Sequence, residues 1–557
     1  MRGSEILINV LRDEGVNVVF GYPGGAMLPL YDELRGSEVR NILVRHEQCA
    51  AHMADGFARV LKRPGVCMAT SGAGATNLVT GIATAFLDSS PVIALTGQVP
   101  TGIIGNDAFQ EADIFSLMMP ITKHNFRIKN GANLSNDLRS AFSIAASGRF
   151  GPVHVDLPKD ILSSDISTPI EGKKAATNGS REDLTELPRS VQLLESAERP
   201  LILVGGGAMW SGCGQDIIGL AEMIASPVTT TLMGKSAVPE DHPLVLGMVG
   251  MHGRRVANYA LEECDVLLAV GTRFSDRMIG EPSSCRTKVI HVDIDTGELG
   301  KNISPTVALS GDAGRVVRAI SSSIQAKRDG GKWTERIMIL KKECVCDLDL
   351  ADNPIKPQKV MFELSKLLPD DAIVTTEVGQ CQMFAAHYFE ARGRRQFITP
   401  GGLGTMGFGL PAAIGAKVAA PDRTVVDIAG DGSLMMVCQE LATAVEEEIP
   451  VFICLLNNGR LGMIKQLQTM FYGGRTTSME LGSSPDFVKL ADAFGVRAAR
   501  VKDPKDLESV IEEGIGSDRP FLADIWIDRE EEVLPVTLRT ESGTRVITGN
   551  CAWKGVC

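Results

Sequence analysis

The sequence predicts an α/β protein of three doubly wound, mostly parallel-sheet domains, and three observations lead there. Short apolar, β-branched runs alternate with amphipathic stretches and glycine turns: VCMAT (66–70), PVIALTG (91–97), PVHVDLP (152–158), LILVGGG (201–207), DVLLAVG (265–271), KVIHVDID (288–295), AIVTTEVG (372–379), VVDIAGDG (425–432) and VFICLLNN (451–458). Continuous apolar strands separated by helices mark parallel sheets buried on both faces. Two stretches interrupt the pattern, a polar one at 163–188 and a charged one at 321–357 with Gly-Gly and two prolines, and both read as domain connections. They leave domains of 1–162, 189–320 and 358–535, and the 557-residue length suits about three or four domains of about 150 residues.

Composition narrows the class. With 44% hydrophobic and 22% charged residues the chain can bury a large core. The net charge of -12 argues against nucleic-acid binding, which needs clustered Lys and Arg. No apolar run is long enough for a bilayer, and the amphipathic, acid-bearing start MRGSEILINVLRDEG does not resemble a signal peptide. The 12 cysteines are scattered without zinc or redox spacing, which points to reduced thiols in a cytoplasmic protein.

The chemistry is most legible in the third domain. VVDIAGDGSLMM is a strand running into a glycine turn and a helix, so Gly430, Gly432 and Ser433 offer backbone N–H groups where a diphosphate binds well. Asp431 adds a hard oxygen beside it. The next strand, VFICLLNN, ends at Asn457-Asn458, with 24 residues between Gly432 and Asn457 (457 − 432 − 1) for one helix, ELATAVEEE, and the return strand. Asp431 and Asn458 then emerge together at the carboxyl edge of adjacent strands, the oxygen set that Mg²⁺ shares with substrate phosphates. A GDG alone is an ordinary turn; GDGS with Asn-Asn at this spacing is specific.

This pairing resembles the diphosphate motif of the thiamine-diphosphate decarboxylases and carboligases. The resemblance extends over nearly the whole chain to the acetohydroxyacid (acetolactate) synthase catalytic subunits. FGYPGGAMLPLYDEL (20–34), DAFQEAD (107–113) and GPVHVDLPKDI (151–161) are similar to that family's first, pyrimidine-binding domain; LGMVGMHG, GTRFSDR and VDIDTGELGKN to its central, FAD-binding domain; and GDGSLMM with LNNGRLGMIKQ to its diphosphate-binding domain. It implies decarboxylation of pyruvate on thiamine diphosphate and condensation with a second 2-ketoacid. Pyruvate would give 2-acetolactate and 2-ketobutyrate would give 2-aceto-2-hydroxybutyrate, at the start of branched-chain amino-acid synthesis.

The resemblance also implies roles. Asp431, Asn458 and the Arg460 carbonyl hold Mg²⁺. Glu47, in VRHEQCAAHMADGFAR, protonates the aminopyrimidine ring nitrogen, which asks for a dry pocket; on local sequence alone it also reads as a helix N-terminal acid. Gly404 offers its carbonyl to the amino group, Met406 wedges the cofactor into a bent shape, and Gly25 and Gln380 fall on further cofactor positions. Arg149, His252, Arg273, Asp293 and Asp312 fall on flavin-contact segments, FAD having no redox duty in the net reaction; His252 also fits simple packing. LVGGGA lacks the spacing of a nicotinamide fingerprint. Arg277 matches the group that grips the second substrate's carboxylate, although a surface pair with Asp276 fits it too. Phe109, Gln110 and Lys159 line the family's site, Lys159 reading equally as a solvated lysine. The site is built between subunits, so a homodimer or higher assembly is implied, and a small regulatory subunit is compatible.

Three departures stand out. Leu467 occupies the place of a family Trp in GMIKQLQ. Cys381 stands where His is common. The tail after Glu532 carries LPVTLRTESGTRVITGNCAWKGVC in place of a Pro- and Gly-rich closing segment. Among rivals, Glu47 speaks against a glyoxylate carboligase, RFSDR against a flavin-free synthase, and the lack of paired histidines against a simple decarboxylase. A non-catalytic cofactor-binding subunit is the alternative of another class.

Overall fold

The apolar runs named above all become parallel strands because both faces of each are covered by helices. The structure, a computed structural model, describes all residues except 168–181, 279–286, 326–327, 329, 345–349, 351–352, 394, 483–484, 541–542 and 548–557. Parts of both expected connections and the end of the tail therefore lie outside the described residues.

The first sheet holds β1 (Val18–Gly21), β2 (Arg40–Leu43), β3 (Gly65–Ala69), β4 (Val92–Gln98), β5 (His124–Arg127) and β6 (Val153–Pro158), in the order β2-β1-β3-β4-β6-β5. The second holds β7 (Pro200–Val204), β8 (Val228–Thr230), β9 (Val245–Met248), β10 (Val266–Val270), β11 (Lys288–Asp293) and β12 (Val307–Ser310), in the order β12-β11-β10-β7-β8-β9. The third holds β13 (Ile373–Thr376), β14 (Gln396–Ile398), β15 (Val425–Gly430), β16 (Phe452–Asn457), β17 (Arg497–Val501) and β18 (Phe521–Trp526), in the order β14-β13-β15-β16-β18-β17. All pairings within these sheets are parallel. An antiparallel hairpin, β19 (Val536–Thr540) and β20 (Gly543–Ile547), follows.

In each sheet the chain winds outward in both directions from one gap, between β1 and β3, between β7 and β10, and between β13 and β15. Crevices open at the carboxyl ends of strands beside such switch points. Gly25 follows β1, the LVGGGA turn follows β7, and Gly430-Asp431 follows β15, so each motif lies at a switch point.

The first and third domains share one apolar core. At its centre the helix Glu47–Leu61 crosses the helix Gly409–Ala419 at close range. A Cβ on Gly56 would stand 2.3 Å from the Ala412 carbonyl oxygen, and one on Gly415 would stand 2.0 Å from that of Met53. Part of the expected connection 321–357 is ordered as the helix Lys332–Glu343, which sinks Trp333, Ile337 and Leu340 into the central domain's core. Its apolar residues recur at three- and four-residue spacing, a pattern hidden among seven charged or polar neighbours' worth of surface chemistry.

Candidate functional site

Gly430 lies opposite Leu456 in the β15–β16 ladder, so Asp431 and Asn458 leave adjacent strands at the same edge. The helix after the glycine turn is short, Asp431–Leu434, and a second helix, Glu440–Glu446, follows before β16. Asp431 is buried, accepting from the N–H groups of Gly432 (3.0 Å) and Gly459 (2.7 Å). Burial pushes its carboxyl up to about 6 against those donors. Its partners among the described residues are backbone N–H groups, so a buried carboxylate here favours an added cation.

Asn458 Oδ1 accepts from the Arg460 N–H at 3.1 Å, and its Nδ2 faces Gln380 Oε1 at 3.4 Å. Gln380 in turn donates to Gln466 Oε1 (3.0 Å) and the Glu531 carbonyl (3.1 Å). Gly462 is required beside them, since a Cβ there would lie 2.0 Å from Gln380 Oε1. The Arg460 guanidinium is anchored on Glu480 (3.2 Å) and Glu530 (3.0 Å), which fixes the turn that presents its carbonyl. Ser433 Oγ donates to the Val378 carbonyl at 3.1 Å, across the switch-point gap between β13 and β15. Carboxylate, amide oxygen and backbone are hard donors that fit Mg²⁺ with a diphosphate. Cys381 is buried behind the cradle, 3.3 Å from where a Gly430 Cβ would be.

Segment 400–410 closes over this edge. Gly404 has φ +72° and is exposed; Met406 is half-buried, its Cε 3.6 Å from where a Gly432 Cβ would be.

Glu47 is the first residue of its helix, which is capped by His46. Its Oε2 accepts from Asn77 Nδ2 at 3.0 Å, and within one chain it is half-buried rather than enclosed in a dry pocket. Phe109 (88% exposed), Gln110 and Lys159 are exposed on the first domain, as is Gly25. These five residues are not gathered into the cavity that collects most of the others.

That cavity, of 810 Å³, lies between the three domains. It is lined by Arg149, His252, Arg273, Asp293 and Asp312 together with Arg277, Gly404 and Leu467. Arg149 pairs with Glu298 at 2.8 Å and donates to Ser89 Oγ at 2.8 Å, while Arg273 donates to the Leu87 carbonyl at 2.6 Å. Asp312 caps the helix Ala313–Ser323, and Ser211 donates to it at 3.1 Å. Burial pushes Asp293 up to about 6; burial and then Arg277 push His252 down to about 4. His252 Nδ1 and Glu298 Oε2 are buried without a hydrogen bond among the described residues, as expected of atoms that face a ligand. The volume and the mixture of cations, acids and apolar walls suit a dinucleotide such as FAD. Arg277 is exposed and 3.8 Å from Asp276.

Two groups escaped sequence reasoning. Glu377, at the end of AIVTTE, is wholly buried and receives four N–H groups from 407–410. An acid ending an apolar strand was its only signal. Arg59, four residues after Asp55, is buried between Asp55 (2.7 Å) and Asp88 (2.8 Å) and donates to the Thr399 carbonyl at 2.9 Å. Asp88 accepts from the Gly402 N–H at 2.7 Å and lines the cavity.

Comparison with known proteins agrees across the chain. The thiamine pyrophosphate enzyme N-terminal TPP binding domain matches residues 1–117, the central domain 187–320, and the C-terminal TPP binding domain 377–525. A probable acetolactate synthase large subunit of Methanocaldococcus jannaschii is 51% identical over 555 residues, 96% of this chain and 93% of the relative. The acetolactate synthase isozyme 3 large subunit of Escherichia coli is 42% identical, covering 97% of each chain. The chloroplastic acetolactate synthase 2 of Nicotiana tabacum is 42% identical over 96% of this chain and 83% of its own.

Proposed function

The chain belongs to the thiamine pyrophosphate enzymes of the acetolactate synthase large-subunit type, and from that premise we propose that it is the catalytic subunit of an acetolactate synthase. It is a transferase that joins a two-carbon unit from pyruvate to a second 2-ketoacid. The observation that carries the reading is the buried Asp431 beside Asn458 at the carboxyl edge of neighbouring strands, under the segment that bears Gly404 and Met406.

Asp431, Asn458 and the Arg460 carbonyl would hold Mg²⁺, with the turn Gly430–Ser433 and Gln380 against the diphosphate. Thiamine diphosphate supplies the electron sink for decarboxylation and condensation. Gly404 and Met406 would orient the aminopyrimidine, and Gly25 and Glu47 would meet it from the first domain, Glu47 holding a proton at the ring nitrogen. Arg277 would bind the acceptor's carboxylate through two N–H groups, a geometry that a guanidinium provides. Leu467 would form the apolar wall against the acceptor's side chain. Arg149, His252, Arg273, Asp293 and Asp312 would hold FAD.

Glu47, Gln110, Phe109 and Lys159 stand outside the cavity in one chain, and Phe109 is 88% exposed, which supports a site completed by a second copy. The relatives' designation as large subunits supports a small regulatory partner. Among the described residues the cysteines form no disulfide, which supports a reducing, cytoplasmic setting. No described helix is long and apolar enough to cross a membrane.

Incubation with pyruvate, thiamine diphosphate and Mg²⁺ should yield acetolactate. Absence of product under every cofactor addition would favour a non-catalytic, cofactor-binding subunit.

A further inference from the structure

We propose that Glu377 is the positioning residue for the aminopyrimidine side of the cofactor site, through its grip on segment 404–410. The proposal rests on the thiamine-diphosphate reading above.

The backbone of Glu377 is itself fixed, since its N–H donates to the Ile428 carbonyl on β15 at 3.1 Å. Its carboxylate is wholly buried. One oxygen accepts from Gly407 (2.7 Å) and Phe408 (3.1 Å), the other from Gly409 (2.9 Å) and Leu410 (3.3 Å). These N–H groups lead into the helix Gly409–Ala419, whose first turn has no intrahelical acceptors of its own. Four donors meet the roughly four lone-pair sites of one carboxylate, so the match is complete.

The buried acid beside it takes the proton. Thr375 Oγ1 lies 3.0 Å from the Gly409 carbonyl and 3.2 Å from Asp427 Oδ1. A hydroxyl has one hydrogen. If it goes to the carbonyl, the Asp427 carboxyl donates to Thr375, which requires Asp427 to be neutral. Burial pushes Asp427 in that direction, and its other oxygen has no hydrogen bond among the described residues. The negative charge then goes to Glu377, where burial pushes the carboxyl up to about 7 against the four N–H donors that pull it back down. Gly409 is pressed onto this pair, because a Cβ there would be 2.2 Å from Asp427 Oδ1.

The gripped turn touches both halves of the site. Met406 reaches over Gly432, and a Cβ on Gly407 would lie 2.9 Å from Val437 and 3.9 Å from Gln48 Nε2, the neighbour of Glu47. The other end of the segment is held separately, by Asp88 on the Gly402 N–H and Arg59 on the Thr399 carbonyl. Glu377 therefore governs the thiamine side of the segment, while Asp88 governs the wall of the flavin cavity.

The test compares cofactor dissociation constants of the full-length chain, titrated with thiamine diphosphate at fixed Mg²⁺ and separately with FAD. Glu377→Gln places an NH₂ group against N–H donors. It should weaken thiamine diphosphate binding by about tenfold or more, equivalent to about 1.4 kcal/mol, and leave FAD binding within about twofold. Glu377→Asp keeps the charge and should recover part of the loss, to roughly threefold weaker than the wild type. Should the Gln variant not fold, the Asp variant carries the test with the same selectivity. Thiamine diphosphate affinity within about twofold of wild type in whichever variants fold, or parallel loss of both cofactors, would overturn the proposal. A wild-type chain that takes up no thiamine diphosphate would overturn the functional reading and this proposal with it.

Discussion

At the residue scale, Leu467 is the side chain proposed to bear on substrate choice. It lines the interdomain cavity with Met463 and Arg277, at the place where the family resemblance implies an indole. Losing an aromatic wall weakens contact with the larger acceptor side chain by about 1–3 kcal/mol, the scale of discrimination between small apolar groups. The wild type should therefore show a reduced preference for 2-ketobutyrate over pyruvate, and Leu467→Trp should raise it. Product ratios from mixed 2-ketoacids measure this, and a strong 2-ketobutyrate preference in the wild type would contradict it. At this scale the sequence was legible where strand spacing alone sets placement, as with Asp431 and Asn458, which leave adjacent strands at the same edge. Glu377 was not, because its meaning lies in four N–H groups about thirty positions away, brought to it by tertiary folding.

At the scale of elements, the helix Glu47–Leu61 links the parts of the site. Glu47 opens it, and Arg59 near its end is clamped by Asp55 and Asp88. Without Asp88, Arg59 keeps its bidentate pair with Asp55, and the loss is the two hydrogen bonds that Asp88 accepts from Arg59 and Gly402, about 1.5–3 kcal/mol for the bond between charged groups. Asp88→Ala should therefore lower the unfolding midpoint and also release the Gly402 N–H, so that the proposed flavin is retained less well than in the wild type. Unchanged stability and flavin content would refute the clamp.

The same helix carries a pH-sensitive group. His52 is wholly buried against Phe408, and burial pushes it down to about 4. An unfolded histidine titrates near 6.5, so between about 6.5 and about 4 the unfolded chain binds the proton and the folded one does not. The stabilisation from neutral His52 is present above that window and is lost as pH falls through it, by about 2 kcal/mol from pH 7 to pH 5. His52→Leu should show a correspondingly smaller loss in denaturant unfolding at the two pH values, and equal losses would contradict this. Element boundaries were legible for central strands, whose continuous apolar runs have one structural meaning. The edge strands β2, β5 and β17 were less so, since each exposes polar positions. The helix Lys332–Glu343 was read as connection because its buried Trp333, Ile337 and Leu340 sit among charged neighbours.

For the whole molecule, three parallel sheets each carry a switch point, and the cavity between domains joins the central sheet's turn at Gly206-Gly207 and the residues proposed for flavin to Arg277, Gly404 and Leu467. That gathering could not be read from spacing, because its members come from distant segments; the resemblance named them, and the fold accounts for their proximity. Glu47 and the exposed Phe109 belong to a surface that one chain leaves open, which is why a second copy enters the account.

The central claim is that Asp431 and Asn458 form a metal–diphosphate cradle. The most direct measurement titrates thiamine diphosphate into the wild type and Asp431→Ala, with and without Mg²⁺. The wild type should bind only when Mg²⁺ is present, and the variant should lose at least about 100-fold in affinity, since changes to groups that merely orient metal ligands already cost about 10–100-fold. Binding by the wild type that ignores Mg²⁺, or wild-type affinity in Asp431→Ala, would contradict the cradle.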